Sequence, residues 1–234
     1  MPTATIGDNT GDTYSGVEDN RIDSLSSPNY NYGLNGFGYA GNQTTRIMKE
    51  LQRFDLSGLT SSWTVTAAVL YLYDQDWASR TADCTINVYQ IAAANGDWIE
   101  GTTTGSAEVG SPCWNKKVYN TVNWAGSAGL STATTDYINT SLGSAVFTDG
   151  VSGYRTITFN SSGESVVEDW LGDATNNGFL LVGSGSDNNW TRFTSSDGTD
   201  GQRPYLSVDY TTAAAHTPFA ALNGPMRGPM GGRL

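Results

Sequence analysis

Arg53-Phe54-Asp55-Leu56-Ser57-Gly58-Leu59 leads into Ala67-Ala68-Val69-Leu70-Tyr71-Leu72-Tyr73, and this second run decides the fold. Side chains along a strand alternate between two faces. Ala68, Leu70 and Leu72 therefore share one face, and Val69, Tyr71 and Tyr73 the other. Both faces are apolar, which predicts a central strand covered on both sides. Phe54 and Leu56, in the stretch before it, read as packing residues.

The decisive run extends from Thr64 to Tyr73, and further runs of strand length follow: Cys84 to Ile91, Tyr154 to Phe159, Gly178 to Val182, Trp190 to Ser195 and Tyr205 to Tyr210. Their β-branched and aromatic content suits strands. Turn signals separate them, at Asn9-Thr10-Gly11, Pro28-Asn29, Asn35-Gly36, Asp149-Gly150, Asn177-Gly178 and Asp197-Gly198. One segment has helical spacing. Ser161-Ser162-Gly163-Glu164 fits a capping box. Val166, Val167, Trp170 and Leu171 then fall on one face, with Glu164, Glu168 and Asp169 turned away. Residues 100–150 are rich in Gly, Ser and Thr with weak periodicity. They predict surface loops around short strands, anchored by Trp114, Trp124 and Tyr137.

The expected fold is all-β, an antiparallel, jelly-roll-like β-sandwich. It carries one short helix near 163–171 and an extended C-terminal tail. Residues 1–210 form the sandwich domain and 211–234 a Gly/Pro-rich tail. In the tail Phe219, Leu222, Met226, Met230 and Leu234 recur every three or four residues, but the prolines and glycines among them forbid a stable helix.

Composition bounds the function. The chain has 234 residues, enough for a core without disulfides or metal, and 15% are charged. The formal net charge of -11 repels phosphate backbones and gives no basic anchor for anionic membranes, so neither nucleic acid nor membrane insertion is expected. Met-Pro-Thr-Ala-Thr-Ile-Gly-Asp has no basic or strongly apolar leader character, so the expectation is that the chain either folds where it is made or leaves by a route not written in this segment. Cys84 and Cys113 read as two separate buried thiols, with a single disulfide as the lesser alternative.

These segments together resemble the DNRLRE-type domain, a β-sandwich family of carbohydrate-binding modules. The resemblance begins at Asp12-Thr13-Tyr14 and Asn29-Tyr30-Asn31-Tyr32-Gly33. It continues through Arg53-Phe54-Asp55-Leu56-Ser57 and the Ala68–Tyr73 strand. Asp97-Trp98-Ile99-Glu100-Gly101 and Cys113-Trp114-Asn115 are similar to the family's Trp-x-Glu-Gly and Thr-Trp-Asn pair, with Cys113 replacing Thr. Val166-Val167-Glu168-Asp169-Trp170, Phe193-Thr194-Ser195-Ser196 and Arg203-Pro204-Tyr205-Leu206 are similar to its helix and closing strands. The resemblance implies a sandwich fold and a place on polysaccharide-degrading enzymes, cell surfaces or phage particles.

Catalysis is not expected. The one histidine, His216, lies in the tail, so the body has none for a nucleophilic triad or a zinc site. Asp97 and Glu100 are the best paired carboxylates, and read better as turn and hydrogen-bonding groups. Asp8-Asn9-Thr10-Gly11-Asp12 and Asp197-Gly198-Thr199-Asp200 offer calcium-type oxygens without an EF-hand loop, so no cofactor is expected and a structural calcium is the minor alternative. Sequons at Asn42, Asn139, Asn160 and Asn189 are no more than chance produces.

Two functional expectations remain. The first is a non-enzymatic structural subunit of a phage virion, of capsid decoration or head/tail fibre type, assembled in the host cytoplasm as a homo-oligomer or repeated array. Phe219, Leu222, Met226, Met230 and Leu234 would anchor its tail in a neighbour, with Arg227 and Arg233 pairing acidic partners. The second is a carbohydrate-binding module at a cell surface, with Trp77, Trp190, Tyr30 and Tyr32 as stacking residues and Trp124 and Lys116-Lys117 as further candidates. An extracellular filament subunit is a third reading. Trp98, Trp114 and Trp170 are expected in the core.

Overall fold

A computed structural model describes residues 1–7, 15–25, 27–76, 80–172, 175–184 and 188–212. The 8–14 segment, with Asp12-Thr13-Tyr14 and the first calcium-type turn, lies outside the described residues, as do Trp77 and the tail anchors. The described chain folds as antiparallel β-sheet with one α-helix.

The strands are β1 (Thr3–Ile6), β2 (Val17–Asp23), β3 (Phe37–Gln43), β4 (Arg46–Phe54), β5 (Trp63–Asp74), β6 (Cys84–Gln90), β7 (Gly143–Phe147), β8 (Gly153–Thr158), β9 (Phe179–Ser184), β10 (Asn189–Thr194) and β11 (Tyr205–Thr212). The helix α1 (Ser161–Asp169) joins β8 to β9. β5 pairs with β11 on one edge and β8 on the other, and β1 extends β11. Across the sandwich, β4 pairs with β2 and β9, and β6 and β7 follow β9. β3 and β10 pair along their whole length and link the two groups, β3 through β4 and β10 through a single pair with β5.

The sandwich interior is apolar and continuous. Ala68, Leu70 and Leu72 of β5 face Phe54, Ile86, Val88, Phe179, Leu181, Phe193, Leu206 and Val208. Phe54 and Leu56 are each 1% exposed, so they do only pack. The helix closes one end with Val167, Trp170 and Leu171. Its N-cap is Asn160 rather than Ser161, because the Asn160 side chain accepts from Ser162 N and Gly163 N at 3.0 and 3.1 Å. Glu168 does not turn away as expected. It accepts from Val65 N at 2.8 Å and so ties the helix to the start of β5.

The second face of β5 also departs from expectation. Val69, Tyr71 and Tyr73 remain half-buried instead of being covered. The sheet covered on both sides is the other one. Leu51 of β4, Ile22 of β2 and Leu180 of β9 point away from the sandwich and build a second core with Ile91, Trp98, Trp124 and Leu130. Residues 91–142 therefore form a third layer of irregular chain over the β2-β4-β9-β6 face.

That layer is pinned by Asp136, which is fully buried. Its carboxylate accepts from Gly126 N, Ser127 N, Thr132 N and Asn95 Nδ2 at 2.7, 3.0, 2.9 and 3.1 Å. Trp98 and Trp170 are core residues, as expected, while Trp114 is only partly buried against the second core. Two of the quoted motifs meet in space: a Cβ on Gly33 would collide with the Gly101 backbone, and one on Gly101 with the Asn31 side chain. Removing the Asp136 carboxylate strands several buried donors. Asp136→Ala is expected to cost at least about 3 kcal/mol in urea unfolding, against about 1 kcal/mol for the cap variant Asn160→Ala.

Candidate functional site

The residues singled out for sugar stacking do not converge. Trp190 is buried, 3% exposed, and its ring stacks on Tyr39 with centroids 5.9 Å apart. Tyr32 is buried under the Arg21 guanidinium, 3.8 Å from the ring centroid. Neither offers an open ring face, so both are corrected to packing residues: each completes the cover of the buried β2–β3 region. Trp124 is also buried, its Nε1 donating to the Cys113 and Trp114 carbonyls. Lys117 lies inward, bonded to Ala94 O and Asp97. Among the described aromatic candidates Tyr30 stays on the surface, 39% exposed, next to Asn29, whose Oδ1 accepts from Asn115 Nδ2 at 2.8 Å, and Lys116 Nζ donates to Asn123 on the surface.

The chain instead assembles a different aromatic surface. Tyr71 sits opposite Tyr205, and Tyr73 opposite Tyr154, on the outer face of β8-β5-β11. Tyr71 and Tyr205 stack at 4.2 Å and 8°. Tyr154 meets Tyr73 edge-on at 5.2 Å and Tyr205 at 5.5 Å. The Tyr154 hydroxyl lies 3.1 and 3.0 Å from the carbonyl oxygens of Gly201 and Arg203. Burial, with Tyr71 and Tyr154 alongside, raises the Tyr205 phenol above its ordinary pKa. Val69, Thr156, Thr158 and Ser207 continue this face by register. Among the described residues on it, only Asp209 is charged. The available signal was the Tyr71/Tyr73 alternation together with tyrosines at the starts of β8 and β11. The pairing that collects them is long-range.

A cleft of about 400 Å³ lies beside Gly16, Glu18, Arg53, Asp55, Ser57 and Asn176. Its polar groups are already engaged. Arg53 binds Glu18 and the Gly96 and Trp98 carbonyls, Asn176 binds Phe54 O, and Asp55 accepts from Ser57 N.

The expected carboxylate pair separates. Asp97 is held below its ordinary pKa by Lys117, 2.6 Å away. Glu100 turns inward and accepts from Asp19 N at 2.8 Å. The acids that do gather are Asp19, Glu50 and Glu100. Burial pushes Asp19 up to about 7 and Glu100 up to about 8, and holds Glu50 well above the carboxylate range. Polar residues at core-facing positions of β2 and β4 were the sequence signal for this group, and it was missed.

Cys84 and Cys113 are both free and buried, and burial lifts the Cys84 thiol to about 12, so it is not a nucleophile at neutral pH. Among the described residues no group of three His, Cys, Asp or Glu is arranged to hold a metal, and no helix is long and apolar enough to cross a membrane. Comparison with protein-family models and with curated proteins finds no match.

The tyrosine face makes a direct energetic prediction. A double-mutant cycle of Tyr71→Leu and Tyr205→Leu, read by urea unfolding, should return a coupling of about 0.5–1.5 kcal/mol, the range for stacked aromatic pairs.

Proposed function

We propose that this chain is a non-enzymatic structural subunit of a particle, of the phage capsid decoration or head/tail fibre kind, assembling with other structural proteins or copies of itself. The observation that carries this reading is the tyrosine face. Its rings lie against one another, stacked or edge to face, which leaves less open ring surface for a sugar. Edges and hydroxyls on a charge-poor sheet suit another protein surface, where tyrosine is enriched.

Charge supports the same reading. Arg227 and Arg233 are the only charged side chains of residues 213–234, so residues 1–212 hold 10 Lys and Arg against 23 Asp and Glu. A basic, apolar segment and an acidic body of the same sequence are complementary between copies. Phe219, Leu222, Met226, Met230 and Leu234 are the apolar anchors in this reading, and the protein belongs to a virion assembled in the host cytoplasm. An extracellular array of the same subunit would use the same contacts.

The second reading, a carbohydrate-binding module at a cell surface, is favoured by one feature. Tyr30 is exposed beside the Asn29–Asn115 amide pair, an aromatic plane with polar neighbours. A glycan array with residues 1–212 separates the two. Binding that is lost in Tyr30→Ala supports the module, and no binding to any glycan counts against it.

The assembly reading is tested by sedimentation. The full chain should form oligomers, and truncation after Thr212, where β11 ends, should give a folded monomer. Tyr73→Ser with Tyr154→Ser should weaken association at least tenfold. A full chain that is monomeric overturns the self-assembly arm of the proposal, and a truncation that associates as the full chain does overturns the role of residues 213–234.

A further inference from the structure

β2 and β4 run side by side with Arg21 opposite Glu50 and Asp19 opposite Gln52. Residues directly opposite each other share a sheet face, so these four side chains form one patch. All four are buried. Glu50 lies against the β3 backbone and accepts from Tyr39 N at 3.1 Å. Two loops close over the patch. Glu100, from the chain after Trp98, accepts from Asp19 N at 2.8 Å, and Ser196, from the turn after β10, donates from N to Asp19 Oδ2 at 2.5 Å. Ser196 Oγ also reaches Glu100 Oε1 at 3.4 Å. The turn after β10 is also held to the segment before β3, with Ser195 Oγ donating to Asn35 O at 2.6 Å and Ser195 N to Gly36 O at 3.3 Å. The carboxyls join it to the segment after Trp98.

The charge count does not balance. Arg21 is the cation within the patch, its guanidinium held between the Tyr32 and Tyr39 rings at 3.8 and 4.5 Å from their centroids. Glu18 and Asp197 approach from the edges and add negative charge, while Arg203 acts on Asp197. Three ionised carboxylates beside one guanidinium would leave net negative charge in a buried site, which a folded protein avoids by retaining protons. The patch is also short of bonds. Among the described residues, Gln52 Nε2 and Oε1 and Arg21 Nε find no hydrogen-bond partner. Buried polar atoms left unpaired favour local opening over a rigid closed state.

We propose that Asp19, Glu50 and Glu100 form a protonated clasp that holds the turn after β10 and the segment after Trp98 against the β2–β4 face, and that opens locally when its protons leave at alkaline pH. This inference does not depend on the particle reading. Its sign follows from proton linkage. The carboxyls hold protons in the folded chain that the unfolded chain releases near the ordinary values of 3.8 and 4.5. Their stabilising contribution is complete below that range. It declines as pH rises through about 7 and 8, where Asp19 and Glu100 ionise in the folded state. Lys49, brought down to about 8 by burial, lies on the other face of β4 and acts in the opposite direction on global stability. The clasp must therefore be read locally.

Hydrogen exchange of the full chain at pH 6 and pH 9, corrected for the intrinsic chemical rate, provides that reading. Peptides covering 97–103 and 194–203 should lose at least tenfold protection at pH 9, with β6 and β9 unchanged. Glu50→Gln with Glu100→Gln, which replaces two of the acids by neutral isosteres and leaves Asp19, should shrink the pH-dependent loss of protection severalfold. Equal wild-type protection at both pH values overturns the proposal, as does an undiminished pH dependence in the double variant. Should the double variant fail to fold, Asp19→Asn is read in the same way. The wild type should also show the infrared carbonyl band of a buried protonated carboxyl at pH 7, reduced in Glu50→Gln. Absence of that band overturns the proposal independently.

Discussion

The sheet around β4 buries side chains on both faces, and the rest of the structure answers that constraint. Phe54 and Phe179 point into the sandwich while Leu51 and Leu180 point out of it. One opposing sheet can cover only the first pair. The second must be covered by something else, or about 25 cal/mol of stabilisation is lost for each Å² of apolar surface left in water. Residues 91–142 do this with no strand and only one 3-10 turn, Ala93–Asn95, carrying Trp98 and Trp124 onto the outer face. A layer of irregular chain has many backbone groups that no sheet satisfies. That is why its bonds converge on buried side chains: Asp136 from within, and Lys49 from β4, whose Nζ donates to Gly129 O and Leu130 O at 2.7 and 3.0 Å.

The molecule treats its buried charges in two ways. At one end of the sandwich Arg80 sits between Asp74, 3.1 Å away, and Thr191, 2.7 Å away, and also donates to Thr148 O. The fully buried pair there, Arg80 and Asp74, is matched in charge and hydrogen-bonded, which is the condition for burying it. The patch of Asp19, Glu50 and Glu100 is the exception, with acids outnumbering the cation beside them. The two arrangements lie on the same body, and only the second depends on protons to stay closed. The tyrosine face differs from both, being aromatic, partly exposed and almost free of charge.

Local signals located several elements well. The expected run at Thr64–Tyr73 lies within β5, and those at Cys84, Tyr154, Gly178, Trp190 and Tyr205 become β6, β8, β9, β10 and β11 with ends shifted by a residue or two. The helix falls where Val167, Trp170 and Leu171 repeat, although its cap is one residue earlier than expected. β4 is the instructive miss. Ile47-Met48-Lys49-Glu50-Leu51-Gln52-Arg53 is rich in residues that favour helix, yet it is a strand paired on both edges, because partners distant in sequence override local preference. β2 was hidden for a related reason: Val-Glu-Asp-Asn-Arg-Ile-Asp has the polarity of a surface loop, and only its neighbours bury it.

By itself the sequence determined what depends on near neighbours. These are the alternation of β5, the turns between strands, the helical face of 166–171, the acidity of the body, and the opposite charge of residues 213–234. The tertiary structure alone decided which alternating face is covered, which tyrosines meet, and which acids are buried together. Trp190 and Tyr32 became packing residues because other strands and Arg21 arrived over them. Asp19 and Ser196 are 177 positions apart, and they touch because β2 and the turn after β10 are carried to one place by different strand pairings. A contact of that separation leaves no periodicity in a single sequence, since its cause is the burial of surfaces assembled only when the whole chain has folded.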